Sequence, residues 1–184
     1  MIPLDSFLTD VDGQPIGLGR VATCLVFTTV DCPISNAYQP LLGRIEKEFR
    51  SKKVVFVQVH VDPSVTVSQI HQHAKDYKVK WRLTADPGFD LVKRFGATVT
   101  PEAVVLDRDG VVRYQGRIDD NFADLGKRRA SATTHELRDA IKALVLGKSP
   151  AVDRTKAVGC LIPTVQAIAG WTMHPGSLVA STVQ

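Results

Sequence analysis

The stretch "ATCLVFTTVDCPISNAYQP", residues 22–40, decides the fold because it joins a strand, a cysteine and a helix. Residues 22–28 are almost continuously apolar, as in a central strand that is buried on both faces. Cys32 follows, and a helix is predicted from about residue 33, because apolar side chains then recur every four residues along one face. These side chains are Ala37, Leu41, Ile45 and Phe49. Pro40 lies inside this helix and is expected to bend it.

The rest of the chain predicts alternating elements followed by an antiparallel pair. Residues 7–18 predict a short hairpin around Asp12 and Gly13. Further strands are predicted at 54–61, 81–84, 102–107 and 111–115. Further helices are predicted from Thr66 or Ser68 to about Tyr77, within 86–96, and around Leu137, Ile141 and Leu144 before Gly147. This order indicates an α/β fold with a mixed central sheet and helices on both faces.

A polar stretch separates the antiparallel pair from the last helix. Residues 116–132 predict a loop. Thr133 and Glu136 have the spacing of a capping box, which predicts the start of the last helix. We therefore take residues 1–147 as one domain and residues 148–184 as a C-terminal tail that carries Cys160.

Composition limits the classes of function. Of the 184 residues, 44 % are hydrophobic and 23 % are charged, which is typical of a folded globular domain. The net charge is +4, and the small basic cluster at 127–129 is expected in a solvated loop, so no nucleic-acid partner is predicted. No apolar run approaches the ~18 residues that a membrane span needs. The first residues, "MIPLDSFLTD", lack the features of a secretory signal, so the chain as written is predicted to be cytoplasmic. It would be extracytoplasmic if an export segment had been removed from its start.

The three cysteines are too few for a disulfide scaffold, and their positions predict different roles. Cys24 lies within the predicted central strand and is expected to be an inert buried thiol. Cys32 opens a helix, whose N-terminus lowers a thiol pKa, although the neighbouring Asp31 would oppose this effect if its carboxylate points inward. Ser35 stands three residues later and cannot close a local disulfide. The alternatives are therefore a resolving cysteine elsewhere, an external thiol, or a sulfenic acid formed first on Cys32.

Cys160 is the candidate resolving cysteine because the tail is long enough to bring it back. The segment from Gly147 to Cys160 can extend ~40 Å, whereas the last helix spans only ~20 Å. Reach alone does not pair the two thiols, and the other interpretation is a thiol packed beside Leu161 and Ile162.

Three motifs in this order resemble the thioredoxin family over residues 5–147. They are Cys32-Pro33-Ile34-Ser35 after a central strand, Pro40 eight residues after the cysteine, and Thr100-Pro101 before an antiparallel strand. The resemblance implies a thioredoxin fold with Cys32 as the nucleophile. It also implies a cis peptide bond at Thr100-Pro101, which shapes a groove where Thr100 offers its backbone to an extended, disulfide-bearing substrate. Ser35 would donate a hydrogen bond to the sulfur, and electrons would come from external thiols, without a bound cofactor.

A second set of residues resembles the peroxiredoxins, which share this fold. Thr29-Val30-Asp31-Cys32-Pro33 matches their Thr-x-x-Cys-Pro motif, and the resemblance implies that the Thr29 hydroxyl contacts a peroxide. Two positions depart from the pattern, because Leu25 replaces a proline and Thr100-Pro101 stands where an arginine is usual. The chain thus resembles bacterial thioredoxin-like proteins of the redoxin superfamily that are related to the alkyl hydroperoxide reductase and thiol-specific antioxidant group.

The end of the antiparallel pair is expected near Cys32. Arg117, Asp119 and Asp120 would then line the rim of the site, where a cation favours a thiolate and a carboxylate can carry protons. A solvated loop is the other interpretation. His60, His71 and His73 do not have the spacing of a metal motif, so no metal site is predicted.

We interpret the chain as a thiol-disulfide oxidoreductase in which Cys32, Cys160, Thr29 and Ser35 carry the chemistry. Pro33, Thr100, Pro101 and Arg117 are the predicted substrate-binding residues. A peroxiredoxin-like thiol peroxidase is the alternative. From other classes, a copper carrier is disfavoured by Asn36 at the second ligand position, and a non-catalytic binding module would show an ordinary Cys32 pKa near ~8.5. The predicted partners are a disulfide-bearing protein or a hydroperoxide, together with an external thiol reductant.

Overall fold

The computed structural model describes residues 8–163 of the chain. The strands are β1 (Ala22–Thr28), β2 (Val54–His60), β3 (Arg82–Ala85), β4 (Val99–Thr100), β5 (Glu102–Asp107), β6 (Val112–Gly116), β7 (Phe122–Asp124), β8 (Lys127–Arg128) and β9 (Cys160–Leu161). The helices are α1 (Pro33–Phe49), α2 (Val67–Asp76), α3 (Asp90–Phe95) and α4 (Glu136–Val145), with a 3₁₀ turn at Arg50–Lys52.

The central sheet has five strands in the order β3-β2-β1-β5-β6. Strand β1 lies in the middle, parallel to β2 and antiparallel to β5, and all seven of its residues are buried. Strands β2 and β3 are also parallel, whereas β5 and β6 are antiparallel. The apolar run at 22–28 therefore forms the buried central strand that the sequence predicts.

Alternate residues of the central strands supply two separate cores. Cys24 and Val26 of β1 belong to the core that contains residues of α1 and α4. Leu25 and Phe27 belong to the opposite core, which contains residues of α3. Since side chains of a strand point alternately to its two faces, helices cover both sides of the sheet. The predicted α/β class and the thioredoxin fold are confirmed.

Three local predictions differ from the structure. Residues 8–16 do fold back on themselves around Asp12 and Gly13, but the predicted hairpin is reduced to one antiparallel bridge between Thr9 and Pro15, without regular strands. The polar stretch 116–132 contains the small antiparallel pair β7–β8. The capping-box prediction is wrong, because the N-cap of α4 is His135 and carries no side-chain hydrogen bond. The Thr133 backbone and hydroxyl donate instead to Asp120.

The described part of the C-terminal tail, residues 148–163, packs on the preceding domain, and we call it the C-terminal strap. Its residues 153–155 run beside β6, where the Gln115 amide donates to the Asp153 carbonyl and the Thr155 amide donates to the Gln115 carbonyl. Strand β9 then pairs with β4. A domain division at residue 147 stays a prediction, and residues 164–184 lie outside the described part of the chain. Within residues 8–163, no helix has the length and apolarity needed to cross a membrane.

Candidate active site

Cys32 occupies the junction between the central strand and the longest helix. Strand β1 ends at Thr28, and Cys32 is the N-cap of α1, with extended backbone angles and Pro33 at the first helical position. Its Sγ accepts a hydrogen bond from the Ser35 amide at 3.4 Å and donates to the Thr100 carbonyl oxygen at 3.0 Å. Only 2 % of Cys32 is exposed. The fold thus places the thiol under the segment that precedes Pro101.

The structure brings Cys160 to the same place. Strand β9 is antiparallel to β4, with Cys160 opposite Thr100, and the two Sγ atoms of Cys160 and Cys32 lie 2.9 Å apart. Both thiols are free. Because a disulfide bond measures about 2.0 Å, the two sulfurs need to approach by less than about 1 Å to form one. The sequence showed that Cys160 has the reach, and the structure adds the contact.

Gly159 permits this close approach. A Cβ atom at position 159 would collide with the carbonyl oxygen and carbon of Thr100. The strap can therefore lie on β4 at this distance only because its residue before Cys160 has no side chain.

The two thiols of the pair have opposite shifts in pKa. Burial raises the pKa of the Cys32 thiol, but hydrogen bonds from Cys160, from the side chain and backbone of Ser35, and from Thr100 outweigh it and lower the pKa to about 7. Burial raises the pKa of the Cys160 thiol, and its hydrogen bond to Cys32 and the charges of Cys32 and Asp31 bring it to about 11. Cys32 is therefore the thiol that ionises near neutral pH.

Two buried hydroxyls stand beside the Cys32 sulfur without a settled partner. The Oγ of Ser35 and the Oγ1 of Thr100 have no hydrogen-bond partner of good geometry among residues 8–163. Both nevertheless lie close enough to Sγ to lower the Cys32 pKa. A hydroxyl hydrogen rotates freely, so a thiolate can recruit these donors when the thiol proton leaves.

The remaining predicted residues are placed as follows. Pro101 is buried, and the Thr100–Pro101 peptide bond is cis, as the resemblance implied. Pro33 is exposed beside Cys32. Thr29 is half-buried after β1, and its hydroxyl makes no hydrogen bond to Cys32 within the described residues.

Arg117 and the two nearby aspartates bond to other parts of the fold. The Arg117 guanidinium pairs with Glu136 at the start of α4. Asp119 accepts a hydrogen bond from the Tyr38 hydroxyl at 2.6 Å, and Asp120 accepts from the backbone amides of Thr133 and Thr134. None of the three bonds to Cys32 or Cys160 in the described hydrogen-bond network. Substrate binding by Arg117 stays a prediction.

Sequence reasoning missed a polar link behind the site. The His73 ring bonds to the Asn36 amide oxygen at 2.8 Å, and the Asn36 amide donates to the Val30 carbonyl at 3.0 Å. Val30 lies in the loop that leads to Cys32, so this link holds the loop against α1. The sequence gives no signal for this link, because Asn36 looks like any other polar residue of the predicted helix.

The histidines do not form a metal site in the described part of the chain. His60 packs its ring against that of His73 at 5.6 Å between centroids, whereas His71 pairs with Asp12 at 3.0 Å. Among residues 8–163, no group of three or more His, Cys, Asp or Glu side chains is arranged to hold a metal ion. Burial and the neighbouring His73 lower the pKa of His60 to about 3, and burial lowers the pKa of His73. Both rings are therefore neutral near pH 7 and add no positive charge to the site.

A thioredoxin fold with a helix-capping thiol against a second thiol defines the class of a thioredoxin-like thiol oxidoreductase. Residues 6–128 match the sequence model of the Redoxin family, and the chain therefore belongs to the redoxin family. No curated protein matches the chain.

Solved structures share this fold at low sequence identity. An uncharacterized conserved protein from Geobacillus kaustophilus is 24 % identical, with a TM-score of 0.72, over 84 % of this chain and 86 % of that one. The hypothetical protein SMc02350 from Sinorhizobium meliloti 1021 is 22 % identical, with a TM-score of 0.73, over 84 % and 88 %. A secreted Mycobacterium tuberculosis disulfide oxidoreductase homologous to E. coli DsbE is 19 % identical, with a TM-score of 0.52, over 76 % and 92 %.

Proposed function

We propose that this protein is a thiol-disulfide oxidoreductase in which Cys32 is the nucleophile and Cys160 is the resolving cysteine. The observation that carries the proposal is the 2.9 Å separation of the two sulfur atoms. Ser35 occupies the position where a local resolving thiol would stand, and Cys160 supplies that thiol from the strap.

The oxidative half of the cycle consumes one disulfide. The Cys32 thiolate attacks a disulfide RSSR, forms a Cys32–SR mixed disulfide and releases RS⁻. Cys160 then attacks the Cys32 sulfur, forms the Cys32–Cys160 disulfide and releases the second RS⁻. Two protein thiols are oxidised, one disulfide is reduced, and the two thiol protons end on the released thiols.

The second step is helped by the loss of charge in the first. The hydrogen bond and the negative charge of Cys32 are among the causes that raise the Cys160 pKa. Once Cys32 is a neutral mixed disulfide, both causes are removed. The Cys160 pKa then falls, and more of it is thiolate at the moment when it must attack.

The reductive half uses an external thiol, which we expect to attack Cys160. Cys160 is half-buried, whereas Cys32 is only 2 % exposed. Attack there also expels Cys32, whose departing thiolate is stabilised by the hydrogen bonds of Ser35 and Thr100. A second external thiol then releases Cys160, so that two external thiols become one disulfide.

The test is a non-reducing peptide map of the full chain, before and after one equivalent of oxidised glutathione. The expected product is a Cys32–Cys160 disulfide, with Cys24 still free. Cys160→Ser should stop at a Cys32–glutathione mixed disulfide, and Cys32→Ser should give no disulfide. A stable mixed disulfide in the unchanged protein would contradict the role of Cys160, and an unmodified Cys32 would contradict the whole proposal.

Thiol peroxidase activity is a second candidate, favoured by the Thr29-x-x-Cys32-Pro33 sequence. The Cys32 thiolate would take the terminal OH of a hydroperoxide ROOH and break its O–O bond, giving a sulfenic acid and RO⁻, which takes up the proton that the thiol had released and leaves as ROH. Cys160 would then form the disulfide and release water. Thr29→Val separates the two reactions. If Thr29→Val loses rate with hydrogen peroxide but not with oxidised glutathione, the peroxidase is supported. If Thr29→Val and the unchanged protein react at the same rate with each oxidant, Thr29 has no role.

A further inference from the structure

The strap is attached to the domain in the way that a bound peptide would be. Strand β9 is antiparallel to β4, with Leu161 opposite Val99 and Cys160 opposite Thr100. The Ile162 amide extends the pairing by donating to the Thr98 carbonyl at 3.0 Å. In the described part of the chain, β4 pairs with no strand other than β9. The backbone edge beside Pro101 is therefore already filled by the chain itself.

The side chains of the strap alternate as those of an extended segment should. Leu161 is 83 % exposed, whereas Ile162 is only 6 % exposed and belongs to the core on one face of the sheet. Cys160, two residues before Ile162, turns away from the Leu161 side as Ile162 does, and its Sγ meets the Sγ of Cys32. The strap thus presents a cysteine to the nucleophile at the position where a paired substrate strand would present its own sulfur.

Two close contacts hold the strap against the domain, one beside β4 and one beside the end of β6. Gly159 lies where a Cβ would collide with Thr100, as described above. Gly116 lies where a Cβ would collide with Thr155, whose Oγ1 accepts the Arg117 amide at 3.0 Å and shares a hydrogen bond of 2.7 Å with the Tyr114 hydroxyl. The strap is therefore docked at two separated points, and both depend on a missing side chain.

We propose that residues 159–162 are a built-in substrate strand that excludes extended polypeptides from Cys32, so that the oxidant of this enzyme is a small disulfide. This inference rests on the proposed function and names its substrate class. An extended chain that added itself to the β4 edge, as the thioredoxin resemblance implies for a substrate, would compete with β9, which is already hydrogen-bonded there. A small disulfide needs only to reach the sulfur of Cys32, and it does not have to form hydrogen bonds with the β4 backbone.

The consequence is a selectivity set by the docked fraction of the strap. A polypeptide can react only with molecules whose strap has left β4, so its rate is reduced by the population of that undocked state. A small disulfide does not need the β4 edge, so a local opening above the Cys32 sulfur, which is 2 % exposed in the docked state, is enough for it and its rate depends less on the undocked population. The ratio of the small-disulfide rate to the polypeptide rate therefore reports whether the strap blocks only pairing with β4 or shields Cys32 from every reagent.

The experiment uses the full chain with Cys160→Ser, so that Cys32 is read alone. One probe is the amide of N-acetylcysteine carrying a thiopyridyl disulfide, and the other is a peptide of about eight residues, the length of an ordinary strand, with the same group on a central cysteine. Cys32 attacks the cysteine sulfur of either probe and releases thiopyridone, which is followed by absorbance. Because both probes have the same leaving group and meet the same thiolate, the ratio of rates reports access.

We expect the small probe to react at least about tenfold faster than the peptide while the strap is docked. Adding Gly159→Val, which should undock β9, should speed the peptide by about tenfold and the small probe by less than about threefold. Gly17→Val is the matched control, since a Cβ at Gly17 meets nothing within 4 Å, and it should change neither rate.

Two results would overturn the inference. Equal rates for the two probes with the strap docked would show that the β4 edge is open to peptides, and this comparison needs no undocked variant to fold. Equal acceleration of both probes by Gly159→Val would show a general cover rather than a substrate strand. Neither result depends on Cys160, so the proposed Cys32–Cys160 cycle is judged separately by its own peptide map.

Discussion

Cys24 and Cys32 are both buried, with 0 % and 2 % of their surfaces exposed, yet their thiols ionise in opposite directions. Cys24 lies in the middle of β1, between Phe56 of β2 and Val105 of β5. Burial raises its pKa far above the ordinary value. Cys32 lies where the same strand has ended and α1 begins, and its pKa is lowered to about 7.

The difference lies in hydrogen-bond donors rather than in exposure. Desolvation opposes the thiolate at both positions. At Cys32 the donors from Cys160, Ser35 and Thr100 more than offset it, whereas the side chain of Cys24 has no hydrogen bond among residues 8–163. A thiol thus becomes reactive where a strand ends and backbone and hydroxyl donors converge on it.

The largest effect should come from removing each thiol in turn. Cys32→Ser should abolish disulfide formation with oxidised glutathione, because serine is not a nucleophile toward sulfur under these conditions. Cys24→Ala should leave the rate within about twofold and lower the free energy of unfolding by about 1–2 kcal/mol, because it leaves a small cavity in the core. Peptide mapping and urea unfolding measure the two outcomes. A Cys24→Ala protein that folds but forms no disulfide would show that Cys24 is not the inert thiol of the two.

The next effect is the pH dependence of alkylation at the two sites. The Cys32 thiol loses its proton as the pH rises through about 7, so its rate with iodoacetamide should increase about tenfold between about pH 6 and about pH 8. Cys24 should stay unmodified in this range, because its raised pKa keeps it protonated and it is fully buried. Brief alkylation followed by peptide mapping gives both rates at once. A Cys32 rate that begins to rise only above about pH 8 would place this thiol with ordinary cysteines.

A smaller effect should follow from removing the neighbouring thiol. Among the hydrogen bonds that lower the Cys32 pKa, the one from Cys160 is the largest. Cys160→Ala should therefore move the midpoint of Cys32 alkylation upward, toward the ordinary value near ~8.5. Leu161→Ala is the matched control, since this neighbouring side chain is 83 % exposed, and it should leave the midpoint unchanged. An unchanged midpoint in Cys160→Ala would mean that the two thiols do not interact in solution.

The contrast between β1 and the strap also shows what sequence can predict. The apolar run at 22–28 and the helix after Cys32 are local patterns, and both elements form where the patterns place them. The position of Cys160 against Thr100 is not local. It depends on Gly116 and Gly159, which allow close contacts with Thr155 and Thr100. The sequence around a glycine does not show which distant residue will pack against it. Length could show only that Cys160 has the reach.

The capping box illustrates the same limit at short range. Thr133 and Glu136 have the correct spacing, but Asp120 takes the Thr133 amide and hydroxyl, and Arg117 takes the Glu136 carboxylate. Both competitors come from the loop after β6, so tertiary contacts override a local signal. The link from His73 through Asn36 to Val30 was missed for the same reason, because its three residues lie on different segments.

The smallest effects should come from the two hydroxyls beside Cys32. Ser35→Ala removes a side-chain donor while keeping the backbone amide that bonds to Sγ, and Thr100→Val removes a hydroxyl while keeping the carbonyl. Each should raise the alkylation midpoint of Cys32, by less than Cys160→Ala does, and Ser35→Ala by more than Thr100→Val, because the causes of the lowered pKa have that order. Thr29→Val is the matched control, since the Thr29 hydroxyl makes no hydrogen bond to Cys32 in the described structure, and it should leave the midpoint in place. If Thr29→Val raised the midpoint as much as Ser35→Ala, the Ser35 and Thr100 hydroxyls would not be the donors that lower the Cys32 pKa, and the contrast between Cys24 and Cys32 would need another cause.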